Sequence, residues 1–226
     1  MSVQLHEIIP WGRSLDEYQR MFALTESNLS GRILGCGDGP ASFNAELTQR
    51  GHSVVSCDPI YTFTPPQILE RFEASIEPVM SQVGAHPQNY VWTYHRSPDD
   101  LLNTRKRVIH TFLSDFENGL KQGRYVVAEL PTLPFATQSF DLAISSHLFF
   151  LYSRLLSLEF HFQSILELCR VAKEARFFPI TTLECEISPY LEPLMTQLPR
   201  HGLKVELLKV DYQLQRNGNQ MLRVFN

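Results

Sequence analysis

Three glycines at alternate positions, Gly35, Gly37 and Gly39, stand in RILGCGDGPASF, the stretch from Arg32 to Phe43, between two apolar residues and a run that reads as the opening of a helix. Glycine lacks Cβ, so each position either admits a positive φ or lets another molecule approach the backbone, at an entropic cost that a bound group can offset. Such a bend, with Cys36 inside it, fits a dinucleotide, a phosphate or S-adenosylmethionine (SAM), and equally a tight turn that packs a helix onto a sheet. Asp58, followed by Pro59, ends the apolar run HSVVSCDP. A carboxylate at the C-terminal end of a strand borders the ligand crevice of an open α/β sheet and can accept both hydroxyls of a ribose; the plainer reading is an Asp-Pro turn. His147, just beyond LAIS, is the candidate base, because an unperturbed imidazole titrates near neutral pH. Its alternative is a histidine that bonds a loop carbonyl and shapes the pocket.

Other chemistries find little support. The net charge of -4 argues against a nucleic-acid partner, which needs clustered Lys and Arg to neutralise phosphates. Cys36, Cys57, Cys169 and Cys185 form no CxxC pair, and the eight histidines form no HExxH, so no metal site is signalled and the thiols are expected reduced and buried. No run approaches eighteen apolar residues, and the N-terminal stretch through Arg20 lacks the order of a secretory leader, so the expectation is a cytoplasmic protein with no membrane partner.

The elements that must position these residues are legible from pattern. Ser14 to Glu17 is a capping box ahead of Leu15, Tyr18, Met21 and Phe22 on one helix face. Arg32 to Cys36 reads as a strand, Phe43 to Arg50 as a helix closed by Gly51, and HSVVSCDP as the next strand, a β-turn-α-β unit of a parallel sheet. RYVVAEL, FDLAISS, ARFFPI and KVELLKVDYQLQ read as further strands, with SLEFHFQSILELCRVA as an amphipathic helix. In KVELLKVDYQLQ the apolar positions change phase between Leu207 and Leu208, which predicts a bulge, and Asn217-Gly218 predicts a tight closing hairpin. The expected organisation is one domain over residues 1–226, carrying a helical insertion over about 60–122, with caps at Thr64-Pro65 and Ser97-Pro98. Arg105-Lys106-Arg107 in the second of its helices reads as a solvated face.

AELPTLPFATQSFDLAISSHLFFLYS, from Ala128 to Ser153, resembles the class I SAM-dependent methyltransferases, particularly those acting on small molecules. It keeps an LPF turn at Leu133 to Phe135 and SFD at Ser139 to Asp141. The resemblance implies an α/β fold: a doubly wound, mostly parallel seven-stranded sheet with an antiparallel last strand, binding SAM and transferring its methyl to a small molecule. It also implies that Gly35, Cys36, Gly37, Gly39, Asp58 and Pro59 belong to the cofactor site. Glu129 would receive the adenine amino group, the Leu130 amide would meet the ring, and Ser145 and Ser146 would line the methionine end. The family's acid two residues before its first glycine is missing. Ile33 stands there if Gly35 is counted first, and Gly35 itself if Gly37, Gly39 and Ala41 are the three small residues. The methionine ammonium must then find backbone carbonyls or Tyr18.

Methyl transfer from a sulfonium needs positioning more than a dyad. Phe149 and Phe150 read as core and Tyr152 as pocket wall. The insertion is expected to cap the crevice, with Trp92 or Tyr94 of NYVWTYHR near the acceptor, the rival use of its apolar faces being a homodimer interface. Alternatives to the methyltransferase are a nicotinamide-dependent oxidoreductase and a SAM-binding module without catalysis.

Overall fold

Parallel strands that follow one another through helices need apolar residues on both faces, and the central strands here have them. In a computed structural model describing residues 8–226, β1 (Ile33–Cys36) lies between β2 (Val54–Cys57) and β4 (Phe140–Ser146), buried along its whole length. With β3 (Tyr125–Val126), β5 (Ala172–Phe178), β6 (Lys204–Lys209) and β7 (Gln220–Phe225) they make one sheet in the order β3-β2-β1-β4-β5-β7-β6. Pairing is parallel from β3 through β5, and β7 runs antiparallel to both neighbours. This is the expected Rossmann-like methyltransferase sheet. The first seven residues of the stretch read against a leader lie outside the description.

Strand alternation sends Leu34, Cys36, Ala143 and Phe177 into a core shared with α6 (Leu158–Val171) and α7 (Leu191–Gln197). Ile33, Leu142 and Ile144 face a second core built with α1 (Leu15–Met21) and α3 (Phe43–Gln49), while α2 (Glu26–Leu29) is a single capped turn. The capping box of α1 forms as expected: Ser14 Oγ accepts from the Glu17 amide and the Glu17 carboxylate accepts from the Ser14 amide at 2.9 Å. Gly51 closes α3 at φ +83°.

The insertion begins at the C-terminal end of β2 and supplies α4 (Pro65–Ala85) and α5 (Pro98–Lys121). Their apolar faces meet each other: Ile68 and Phe72 pack with Ile109, Phe112 and Phe116 around Tyr61 and Tyr125. The basic patch divides. Lys106 and Arg107 are exposed, but Arg105 is buried, because it shares the α5 face of Leu101, Val108 and Phe112. Two details at the chain's end also differ from expectation. The register of β6 on β7 is continuous from Lys204↔Phe225 to Lys209↔Gln220, so there is no bulge; β6 is a mostly exposed edge strand whose apolar residues need no common phase. Asn217 does take a positive φ of 63°, yet it sits in a longer connection, since β6 ends at Lys209 and β7 starts at Gln220.

Candidate functional site

At the C-terminal ends of β1 and β2 the chain leaves the sheet and opens a cavity of about 930 Å³. Its floor is the glycine bend. Gly37 and Gly39 take φ of +67° and +56°, and space stands open where Gly39 would carry a side chain, which leaves its backbone accessible to a bound group. Asp58 reaches across from the end of β2: Oδ2 accepts from the Gly39 amide and Oδ1 from the Ile60 amide, each at 2.8 Å. Burial raises this carboxyl, the two amides oppose the rise and nearby Glu129 adds to it, the outcome being about 6. Asp58 thus fixes the bend and keeps lone pairs for a ligand.

The bend holds a second carboxyl that sequence reasoning did not single out. Asp38 is 5 % exposed, accepts from Tyr18 Oη at 2.7 Å and Ser56 Oγ at 2.6 Å, and lines the cavity. Burial pushes it up to about 7 against those two hydrogen bonds, with the Asp58 charge adding to the rise. Its carboxyl fills the volume that a side chain at Gly35 would need. Gly35 is one of the two places where the family's missing acid would stand, so the position lacks the residue and keeps the carboxyl. The signal was an acid between two glycines.

Other expected residues fall on both sides of the line. Cys36, Pro59, Glu129, Leu130, Ser146, His147 and Tyr152 line the cavity. Gly35 is not among its lining residues. Ser145 is also absent from the lining, and its buried hydroxyl has no partner; period two turns it to the face of Ala143 while Ser146 shares that of Ile144. His147 has φ +56°, and its amide donates to the Phe178 carbonyl at 2.6 Å. Nδ1 lies 2.7 Å from Ser146 Oγ. Burial, then the charges of Arg13 and Arg105, hold this imidazole well below its usual range, so it is neutral rather than poised near pH 7. Tyr152 Oη accepts from the Ile9 amide at 3.0 Å. Phe149 and Phe150 are core, as read.

The insertion does wall the cavity, through Arg71, Ala74, Pro78 and Val79 of α4, but its expected aromatics do not. Trp92 stacks on Tyr90 with ring centroids 5.7 Å apart and packs on the core of α1, and Tyr94 Oη donates to Asp16 at 2.7 Å. Tyr90 is the residue of that segment that faces the cavity. Arg105, which also lines the cavity, makes a two-pronged ion pair with buried Glu17 at 2.6 and 2.8 Å, joined by Tyr212 Oη at 3.0 Å and His95 at 3.3 Å. Burial alone would raise Glu17; Arg105 and His95 outweigh it and hold the carboxyl well below its usual range. All four cysteines are free and buried. Among the described residues no three His, Cys, Asp or Glu stand where they could share a metal ion, and no helix is long and apolar enough to cross a membrane.

Comparison with known proteins adds a relative along the whole chain. The uncharacterized protein MJ0045 of Methanocaldococcus jannaschii is 31 % identical over 221 residues, 97 % of each chain. No model of a known protein family matches. Among solved structures, the chain is similar to the methyltransferase domain of a bacterial Hen1, with 12 % identity, 94 % of this chain and 100 % of that one covered, and a TM-score of 0.49. It is also similar to magnesium protoporphyrin IX methyltransferase from Synechocystis PCC 6803, with 12 % identity, 94 % and 77 % covered, and a TM-score of 0.48. Strand order and the antiparallel β7 are what place the chain in this fold.

Proposed function

Since the chain belongs to the same family as the uncharacterized protein MJ0045, a membership that assigns no chemistry, we propose its function from the site: it is a SAM-dependent methyltransferase acting on a small molecule. The observation that carries the reading is the placement of three carboxyls, Asp38, Asp58 and Glu129, just beyond the ends of β1, β2 and β3 on one cavity. They match the three donor groups of the cofactor: the methionine ammonium for Asp38, the ribose diol for Asp58 and the adenine amino group for Glu129. The open backbone at Gly39 gives the nucleoside its close approach.

SAM supplies a methyl already activated on a sulfonium, so the chain's own work is to bind, orient and keep out water. Asp38, held by Tyr18 and Ser56, fixes the amino-acid end, and Asp58 fixes the sugar. The α4 wall and the Ile9–Trp11 segment, which line the cavity, would keep water from a bound cofactor. Neutral His147, in the tautomer whose Nδ1–H donates to Ser146 Oγ, presents Nε2 as a hydrogen-bond acceptor that orients an acceptor hydroxyl or amine, while burial and the nearby guanidinium charges oppose its holding a full proton. A nicotinamide cofactor fits less well, because its sheet would be parallel throughout, whereas β7 here is antiparallel.

Titration with S-adenosylhomocysteine tests the reading. At a hundred times Kd it should stabilise the fold by about 2.7 kcal/mol, a Tm rise of about 5 to 10 °C for this size, while NADH gives none. Asp58→Ala should weaken binding tenfold or more, since a hydrogen bond to a charged group contributes about 1.5–3 kcal/mol. Saturating ligand with no heat and no Tm shift, or Asp58→Ala binding like the parent, would overturn it.

A further inference from the structure

The charges of the cavity are unevenly placed. Its carboxyls follow the ends of the strands. A second wall, built from Ile9, Pro10 and Trp11 and from Ala74, Pro78 and Val79 of α4, is apolar and is tied together by Trp11 Nε1 donating to Ser75 Oγ at 2.8 Å. Arg71 also comes from α4, but it is exposed and lies over the Phe63 ring at 3.8 Å, where water screens it. Arg105 has its counter-ion in Glu17. Arg13, next to this wall, has none: among the described residues no ion pair includes it, Nη1 donates only to the Trp11 carbonyl, and the buried Nε has no partner. Burial and the neighbouring Arg105 push this guanidinium down to about 10, against the more distant charge of Glu17. Arg13 is half-buried, with Glu17 acting on it only from beyond ion-pair distance, and its planar fork is shaped to receive a carboxylate.

The geometry points to an acceptor that is an apolar molecule carrying one anionic group, a carboxylate, with Arg13 as the residue that holds that anion. The inference rests on the methyltransferase reading and adds the substrate class. A cavity of about 930 Å³ lies at the upper end of the range for ligand pockets, roughly 300–1,000 Å³, which leaves space for an apolar body beside a nucleoside. Arg13 lines the same cavity as His147 and Tyr152, and its charge reaches both, so the anion would be held at the edge of the reacting region. The cofactor has a carboxylate of its own, the rival occupant of the same fork. The apolar wall next to Arg13 favours the acceptor.

The test uses calorimetry on the full chain, Arg13→Met and Arg13→Lys with four kinds of probe: S-adenosylhomocysteine, 5′-methylthioadenosine, the saturated carboxylates from hexanoate to dodecanoate with phenylacetate, and the matching alcohols. The carboxylates and alcohols are titrated with and without S-adenosylhomocysteine. The parent should bind carboxylates at least tenfold more tightly than alcohols. Arg13→Met should abolish that preference, Arg13→Lys should retain part of it, and both should bind the two nucleosides within twofold of the parent. If Arg13→Met weakens S-adenosylhomocysteine but not 5′-methylthioadenosine, the fork belongs to the cofactor carboxylate and the inference falls. It falls too if the parent prefers no carboxylate, or if the preference survives the loss of Arg13. Failure of both nucleosides on the parent would instead overturn the methyltransferase reading, while the carboxylate titrations without them still report on Arg13.

Discussion

Asp38 has three neighbours that set its chemistry: the hydroxyls of Tyr18 and Ser56, which donate to it, and Asp58, which repels its charge. With its carboxyl at about 7 in the fold and near 3.9 in the unfolded chain, the folded protein holds an extra proton between those values. Its contribution to stability is therefore full below the unfolded value and is lost as pH rises through the folded one. Binding a cationic group works the other way, because it needs the ionised form. Affinity for S-adenosylhomocysteine should accordingly climb from pH 6 to 8. In Asp38→Asn that climb should flatten and affinity at pH 8 should fall at least tenfold, whereas the free variant should melt higher than the parent at pH 8 and by a smaller margin at pH 5. Calorimetry and thermal melts across that range check both halves, and a variant that keeps the parent's pH profile would remove Asp38 from the cofactor site.

At the scale of elements, α1 and α5 are joined by one contact that neither helix announces alone. Glu17 caps α1 and neutralises Arg105, 88 residues further along the chain. Removing one partner of a buried pair leaves the other charge without compensation, at a cost of about 3–5 kcal/mol. Arg105→Met should therefore lower the urea midpoint severely, while Lys106→Ala and Arg107→Ala, both exposed, should stay within about 0.5 kcal/mol of the parent. Equal effects from the three would mean that the ion pair contributes nothing. The periodicity of α5 already contained half of this: Arg105 lies four residues from Leu101 and three from Val108, on the apolar stripe. Reading the three basic residues as a block hid the phase. The partner itself could not be read, since nothing local ties Glu17 to residue 105. The same limit explains Trp92 and Tyr94. The aromatic segment was found, but which of its residues faces the cavity depends on how the segment leans on α1, and that put Tyr90 inside instead.

Across the whole molecule, what the sequence carried best was what repeats locally: the parallel core strands, the caps of α1, α4 and α5, and the antiparallel end of the sheet. The glycine bend and Asp58 were legible because their backbone demands are severe. Arg13 was not, because a lone arginine before a helix cap has no pattern; its meaning lies in the carboxylate it lacks. The volume shared by Gly35 and Asp38 bears on descent as well as on binding. Two positions that occupy one space cannot drift independently, so among relatives of this chain an acid at one should be met by glycine at the other, and the intermediate with two acids or none should be the rare one. The laboratory version is the exchange Gly35→Asp with Asp38→Gly. Either change alone should lose S-adenosylhomocysteine binding at least tenfold, and the pair should recover most of it. That would make the departure at the head of this glycine bend a relocation of one carboxyl along the chain, a historical trade between neighbours that left the site's charge where it was.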